Sequence, residues 1–279
     1  MLPSKLQRFA DDPLLFQCPN CQAPLKLEER SLRCPQRHSY DLAKWGYVNL
    51  APQAKMSKDY DPASFEQRHL ILEAGFYQPL LEQVLRQLEA QGPLGHILDI
   101  GCGEGYYARH IQEKLACETY AFDLSKASIQ LASKLDNRKA VKWFVADLAQ
   151  LPLESQAFDA ILDIFSPANY QEFQRLLKPQ GLLLKVIPNP DHLGEIRQLA
   201  QGQLRKKDYS NQKVLEHFAK HFQIIEQKTV RQSFPLNQEE RQALLAMTPL
   251  LFHVDREQID WQNLKEVTIS ASILLGRAK

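Results

Sequence analysis

Leu98-Asp99-Ile100-Gly101-Cys102-Gly103-Glu104-Gly105 is a short apolar strand that runs straight into a glycine-rich turn. The glycines keep the backbone thin, so a ligand can lie against the turn and against the start of a following helix. A helix pattern opens near Gly105, with Tyr107, Ile111 and Leu115 at helical spacing. Further strand-like segments at 119–122, 141–145, 158–164 and 181–187 are interleaved with helical ones at 125–135 and 170–177. That alternation predicts an α/β fold with a mostly parallel, doubly wound sheet, whose ligands bind outside the carboxyl ends of the strands. A dinucleotide-binding turn would carry its third glycine at position 106, where this chain has Tyr106. Asp123 closes the second strand, where a carboxylate can accept hydrogen bonds from both ribose hydroxyls. Asp99, just ahead of the glycines, suits a cationic amino-acid tail, directly or through water, rather than a pyrophosphate. These residues point to a nucleoside-containing cofactor other than NAD.

Toward the N-terminus stand two knuckles, Cys18-Pro19-Asn20-Cys21 and Cys34-Pro35-Gln36-Arg37-His38. Three thiolates and one imidazole make a closed tetrahedral set with no open position for water, the pattern of a structural zinc ion. So small a module holds little apolar core, and metal binding is expected to supply much of its folding energy. Arg30, Arg33, Arg37 and Lys44 are interleaved with Tyr40, Trp45 and Tyr47. Basic groups among rings suit RNA phosphates and splayed bases, and equally make a solvated face over a thin core. A polar stretch at 55–60 reads as a linker. A helix pattern from Phe65 to Leu88 is then broken at Gly75 and Pro79, and Gly92, Pro93 and Gly95 mark entry to the main domain. The expected organisation is a tail and zinc-binding module over 1–54, a linker with helices over 55–92, and the cofactor domain over 93–279. The remainder reads as a helix at 211–222, an alternating strand at 223–231, a short helix at 239–247 and a last strand around Val267, Ile269 and Ala271, with Thr248-Pro249-Leu250 placed at the substrate cleft.

Composition sets the limits. The 279 residues carry a formal net charge of +1, so any nucleic-acid binding must come from a local patch. Apolar residues make up 44%, enough for a sizeable core, and no apolar run approaches the length of a membrane span. The N-terminal residues lack the apolar stretch of a secretory signal. Of five cysteines, only Cys102 and Cys117 lie outside the metal cluster, which fits a reducing cytoplasm better than a disulfide scaffold.

Leu98 to Gly105 resembles the first motif of class I S-adenosylmethionine-dependent methyltransferases. The resemblance implies a Rossmann-like seven-stranded sheet with a reversed last hairpin, behind a small zinc-ribbon-like domain. It makes Asp99, Gly101, Gly103, Gly105 and Tyr107 cofactor contacts, with Asp123 on the ribose and Asp147 and Leu148 at the adenine. Lys178-Pro179-Gln180-Gly181 is similar to the turn before strand five, with Gln180 where glycine is usual. From Cys18 onward the whole chain resembles the bacterial 23S ribosomal RNA guanine-N1-methyltransferases. The knuckles, Tyr47-Val48-Asn49-Leu50, Ala74-Gly75-x-Tyr77-x-Pro79-Leu80, Asp99 to Tyr107 and Met247-Thr248-Pro249 carry the likeness, and the residues before Phe16 lie outside it. This implies zinc held by Cys18, Cys21, Cys34 and His38, a module that helps recognise a hairpin of 23S RNA, and a cytoplasmic homodimer with a wide RNA cleft.

Guanine N1 carries a proton that must leave before its lone pair attacks, so a general base is expected and the base must be unpaired or flipped. The acceptor belongs beside strand four, at Ile164-Phe165-Ser166-Pro167. This segment departs from the Asp/Asn-Pro-Pro-Tyr segment of enzymes that methylate exocyclic amines, and Phe165 is placed to stack on the guanine. Three candidates for the base stay open: His192 ranks first, then Asp163, which by alternation shares a face with Phe165, and Glu195. Arg68 is expected to brace the RNA backbone or the cofactor carboxylate, and Arg197, Arg205, Lys206 and Lys207 form a further basic stretch. The rival readings are a methyltransferase with another RNA, a protein or a small-molecule substrate, a non-catalytic RNA-binding protein, and a nucleotide-dependent oxidoreductase.

Overall fold

The computed structural model describes residues 4–11, 13–53, 62–204 and 210–279. The linker read at 55–60 and the basic group Arg205, Lys206 and Lys207 lie outside the described residues.

The N-terminal module is a three-stranded antiparallel sheet of β1 (Lys26–Glu28), β2 (Ser31–Arg33) and β3 (Ser39–Asp41). The next strand, β4 (Tyr47–Asn49), leaves it. Two helices follow, α1 (Pro62–Glu73) and α2 (Gln78–Glu89), separated at Gly75 with its left-handed φ of 92°. The pattern falls into the two pieces expected from Gly75 and Pro79, and Pro79 marks the start of the second. It sits in the first turn of α2, where no intrahelical bond needs the missing N–H.

The main domain continues as β5 (His96–Ile100), α3 (Tyr106–Lys114), β6 (Glu118–Asp123), α4 (Lys126–Leu135), β7 (Lys142–Val145), β8 (Phe158–Ile164), α5 (Tyr170–Leu176), β9 (Leu177–Pro188), α6 (Gly194–Leu199), α7 (Gln212–His221), β10 (Phe222–Pro235), α8 (Gln238–Met247) and β11 (Glu266–Ala278). The sheet order is β10-β11-β9-β8-β5-β6-β7-β4. All neighbours from β4 to β9 are parallel, and β11 runs antiparallel between β9 and β10. Strands β5 to β11 make the expected seven-stranded sheet with its reversed last strand. The chain passes from β5 outward through β6 and β7, then returns to β8 on the other flank of β5. Connections from β5 and β8 therefore diverge, which opens a crevice at their carboxyl ends.

The eighth strand is β4. It extends the sheet beyond β7, with Tyr47 opposite Trp143, Val48 opposite Phe144 and Asn49 opposite Val145. A strand of the N-terminal segment thus completes the edge of the main sheet. The cores are also continuous: Cys18, Leu25, Leu32 and Cys34 are buried in one cluster with Leu98, Phe144 and Phe158. Leu6, Phe9, Leu14 and Leu15, which precede the family likeness, enter the same cluster beside Phe16. The Phe16 ring meets Phe144 edge-on at 5.1 Å and Tyr120 at 5.2 Å, and the Leu15 N–H donates to the Tyr120 hydroxyl. The zinc module therefore draws on the sheet's apolar core as well as on its metal.

Candidate functional site

A cleft of about 290 Å³ lies at the carboxyl ends of β5 to β8. Three glycines of one turn meet it differently. Gly101 and Gly103 line it, with left-handed φ of 61° and 57°. A Cβ at Gly101 would strike the Ser166 hydroxyl, so glycine here lets the loop after β8 close against the loop after β5. A Cβ at Gly103 would find nothing within 4 Å, which leaves its face to the cleft. Gly105, also left-handed at 79°, does not line the cleft: its Cβ would run into the Trp143 ring of β7. It allows α3 to pack on the sheet.

Asp123 ends β6 inside the cleft. Its Oδ2 accepts from the Gly103 N–H at 3.0 Å and its Oδ1 from the Ser125 N–H at 2.8 Å, which ties the strand end to the glycine turn. Each oxygen keeps a further lone pair for a ribose hydroxyl. Asp147 and Leu148 line the cleft after β7, and Asp147 Oδ1 accepts from the Ala149 N–H at 2.9 Å.

Behind Gly101 is a small polar hollow walled by Asp99, Glu104, Tyr107 and Arg68, and Arg68 also lines the main cleft. Asp99 is 2% exposed. Among the described residues its Oδ2, Glu104 Oε1 and the Tyr107 hydroxyl have no hydrogen-bond partner. Arg68 Nε stands 3.7 Å from Glu104. Burial, and then the neighbouring Glu104, push the Asp99 carboxyl up to about 8. Buried carboxyl groups with unpartnered oxygens can accept from an ammonium and the guanidinium beside them can donate to a carboxylate, so the hollow suits a ligand that carries both. The residues present fit S-adenosylmethionine. Glu104 was not singled out from the sequence, although an acidic residue inside the glycine turn was a visible signal. Phe65 of α1, which also lines the cleft, carries no mark that separates it from core residues of the same helix.

On the acceptor side Ile164, Phe165, Ser166 and Pro167 line the cleft. Strand alternation was expected to pair Phe165 with Asp163. Phe165 is left-handed at φ 55°, so the alternation ends there and its ring joins Ile164 at the cleft wall. The ring stacks on His192 at 5.6 Å and 25°, and Tyr77 meets it edge-on at 6.0 Å.

The three candidate bases lie outside the cleft lining. His192 is 8% exposed, and its Nδ1 accepts from the Ser270 N–H at 3.2 Å. A neutral ring so bonded carries its proton on Nε2. Burial, then Arg197, lower its pKa to about 4. Asp163 is fully buried and ion-paired with Lys185 at 2.6 Å. Burial pushes the Asp163 carboxyl up to about 6 against the pull of that lysine, and Lys185 also donates to the Ser166 carbonyl at 3.3 Å. Glu195 accepts from the Thr268 N–H at 2.9 Å and the Thr268 hydroxyl at 2.6 Å, which pins α6 to β11. Thr248, expected at the substrate cleft, is buried and donates to the Leu244 carbonyl at the end of α8.

In the N-terminal module the four ligand atoms of Cys18, Cys21, Cys34 and His38 lie within 4.8 Å of one another. Cys18 Sγ and Cys34 Sγ are each 3.4 Å from His38 Nδ1, and Cys21 Sγ is 3.6 Å from Cys34 Sγ. Tetrahedral zinc with sulfur and nitrogen ligands spaces them roughly 3.5–3.8 Å apart, so the set fits the ion. Each knuckle is shaped by one left-handed residue, Gln22 at 59° and Arg37 at 66°. Of the three rings read near the ion, Tyr47 is buried in the sheet and Tyr40 lies 3.3 Å from Cys18 Sγ. Trp45 is half-buried under the ammonium groups of Lys5, Lys134 and Lys44 at 4.1, 5.2 and 5.5 Å.

Comparison with known proteins agrees with both halves. Residues 16–58 match a zinc-ribbon family described as "RlmA, N-terminal", and residues 97–181 match a methyltransferase domain. A Bacillus subtilis protein assigned as a 23S rRNA (guanine-N(1)-)-methyltransferase is 36% identical, covering 94% of this chain and 96% of that one. The Streptomyces fradiae 23S rRNA (guanine(748)-N(1))-methyltransferase is 33% identical with the same coverage. Among solved structures, a chain of the Haloferax volcanii complex between the Trm112 methyltransferase activator and a methyltransferase has a TM-score of 0.52 at 15% identity, covering 81% of this chain and 99% of that one. The [4+2]-cyclase SpnF has a TM-score of 0.50 at 18% identity, covering 72% and 80%, so the fold alone does not specify the reaction. With both of its modules matched and relatives spanning nearly its full length, the chain belongs to the family of zinc-ribbon-bearing, S-adenosylmethionine-dependent 23S rRNA (guanine-N1)-methyltransferases.

Proposed function

We propose that this protein transfers the methyl group of S-adenosylmethionine to N1 of a guanine in a hairpin of 23S ribosomal RNA, in the cytoplasm. The observation that carries the reading is the Phe165 ring, turned into the cleft by its left-handed backbone and backed by His192, at the far wall of a cofactor site. A rigid ring in that place is a platform for an extruded purine. Asp123 holds the ribose, Asp147 and Leu148 the adenine, and Asp99 with Arg68 the amino-acid tail. The bound cofactor supplies a positively charged sulfonium whose methyl is electrophilic. The chain's task is then to align that methyl with N1, which is chiefly an orientation effect.

In this reading His192 and Asp163 are positioning residues and not bases. His192 supports Phe165 as a neutral ring. The Asp163–Lys185 pair holds the Ser166 carbonyl and with it the acceptor loop. The N1 proton passes to water at the cleft mouth, so the rate rises with pH toward the ionisation of the base. His192→Asn is expected to leave the shape of the pH–rate profile unchanged; loss of an acidic limb in that variant would restore His192 as the base. The zinc module contacts the RNA hairpin. The homodimer belongs to the same proposal: β10 is the edge of the sheet and exposes Ile224 and Ile225, and sedimentation equilibrium tests it. Among the described residues no helix is long and apolar enough to cross a membrane.

The direct test is mass mapping of 23S RNA from cells lacking the gene, before and after incubation with the protein and S-adenosylmethionine. A new methylguanine is expected. Phe165→Ala is expected to slow methylation by about tenfold or more, as loss of one base–ring stack implies, with S-adenosylhomocysteine affinity unchanged. RNA that gains no methyl group sinks the reading.

A further inference from the structure

A second ring-lined pocket lies beside the cofactor cleft, and Leu148 is a wall of both. Its floor is Tyr170, at the start of α5, and its rim is His217 and His221 on α7. The three rings touch: Tyr170 stacks on His221 at 5.1 Å and 17°, meets His217 edge-on at 4.9 Å, and the two imidazoles lie 5.1 Å apart. Tyr170 is buried, whereas His217 is exposed and His221 half-buried. The pocket, about 470 Å³, is open and has room for more than one planar ring. Ala168 and Asn169, on its inner wall, directly follow the acceptor loop at Ser166-Pro167.

The outer face of α7 adds charge. Lys213, Glu216, His217, Lys220 and His221 recur at i, i+3, i+4, i+7 and i+8, which places two lysines and one carboxylate on the stripe with the imidazoles; Glu216 accepts from Gln212 Nε2 at 3.0 Å. Among the described residues no ion pair engages Lys213 or Lys220. Phe218 is buried in the core, with Val214 and Leu215 partly buried against it. Solvent-facing rings beside uncommitted lysines match the chemistry of single-stranded nucleic acid, whose bases stack while its phosphates meet cations.

We propose that the Tyr170–His217–His221 pocket is a nucleobase subsite, which holds an unpaired nucleotide of the RNA substrate flanking the methylated base. This rests on the RNA-methylation reading above. It assigns α7 a share in substrate binding, separate from the cofactor cleft and from the zinc module.

The test uses the full-length protein. His217→Ala/His221→Ala removes two surface rings and leaves Tyr170 in place. The expected result is a KM for 23S RNA raised by about tenfold, with kcat at saturating RNA and S-adenosylhomocysteine affinity near those of the unaltered protein. His217→Phe/His221→Phe restores ring faces without polar nitrogens and is expected to recover most of that loss. An unchanged KM in the alanine variant overturns the subsite, as does equal damage to KM and kcat that phenylalanine does not rescue. If the unaltered protein methylates the RNA while the alanine variant is unaffected, the subsite alone fails. If the unaltered protein methylates no RNA, both proposals fall.

Discussion

Asp99 is a carboxyl whose charge depends on what stands beside it. With its own pKa near 8 it is mostly protonated at neutral pH in the free protein. A cofactor ammonium placed against it favours the carboxylate, so binding releases a proton. The sign follows: affinity for S-adenosylhomocysteine is expected to rise with pH between about 6 and 8 and to level off once Asp99 is ionised before binding. Calorimetry at pH 7 in buffers of different ionisation enthalpy should detect the released proton, and Asp99→Asn should abolish the release. A pH-independent affinity would contradict this account of Asp99. The glycines divide in a similar way. Gly103→Ala adds a Cβ that meets no protein atom, so its cost in stability is the left-handed strain of about 1–2 kcal/mol, while the new methyl projects into the cleft. Gly105→Ala adds the same strain and drives a methyl into Trp143. Cofactor affinity should suffer more in the first and urea stability more in the second, and the reverse order would show that the cofactor lies against Gly105.

At the level of elements, the N-terminal residues act as a strap across the sheet. The Arg8 side chain is fully buried: its Nη1 reaches Asp136 at 3.1 Å and donates to the Val141 carbonyl at 3.0 Å. Asp136 also accepts from the Trp143 indole N–H, so strap, α4 and β7 meet at one carboxylate. Removing one partner of a buried ion pair costs about 3–5 kcal/mol. Arg8→Ala is expected at the lower end, because Asp136 keeps its bonds to Trp143 and to backbone N–H groups. Urea denaturation measures this, and Arg8→Met, which refills the volume, should lose less. Nothing in the residues before Phe16 announces such a role, since partners more than a hundred positions away supply it. The same holds elsewhere. Strand β8 is legible at its observed limits because five of its seven residues, Phe158, Ala160, Ile161, Leu162 and Ile164, are apolar. Strand β4 is not legible, because three residues whose partners are Trp143, Phe144 and Val145 leave no local period. His192 and Glu195 were legible as titratable groups. Their commitment to Ser270 and Thr268 depends on β11, and no spacing in the sequence reveals it.

In the whole molecule, two modules share one core but keep their ligand sites apart. The knuckles belong to the cluster that runs through Leu25 and Leu32 to Phe144 and Phe158, whereas the cleft is lined by the turns after β5 to β8 and by Phe65 and Arg68 of α1. Zinc removal should therefore act unequally. Three cysteines and a histidine drawn within 4.8 Å of one another lose the ion that holds them, and the knuckles open. Leu25, Leu32 and β4 remain anchored by burial against the sheet, which retains its own apolar core on both faces. Chelation is expected to lower the thermal midpoint and to abolish methylation of 23S RNA, while S-adenosylhomocysteine affinity changes by no more than about twofold. Calorimetry and the RNA assay on one chelated sample check both halves, and zinc added back should restore activity. Loss of cofactor binding together with RNA methylation would mean that the shared core transmits the collapse to the cleft and that the module supports the fold of the whole chain. Unimpaired methylation after verified zinc loss would mean that the knuckles take no part in recognition, and the RNA would then have to be held by the sheet domain alone.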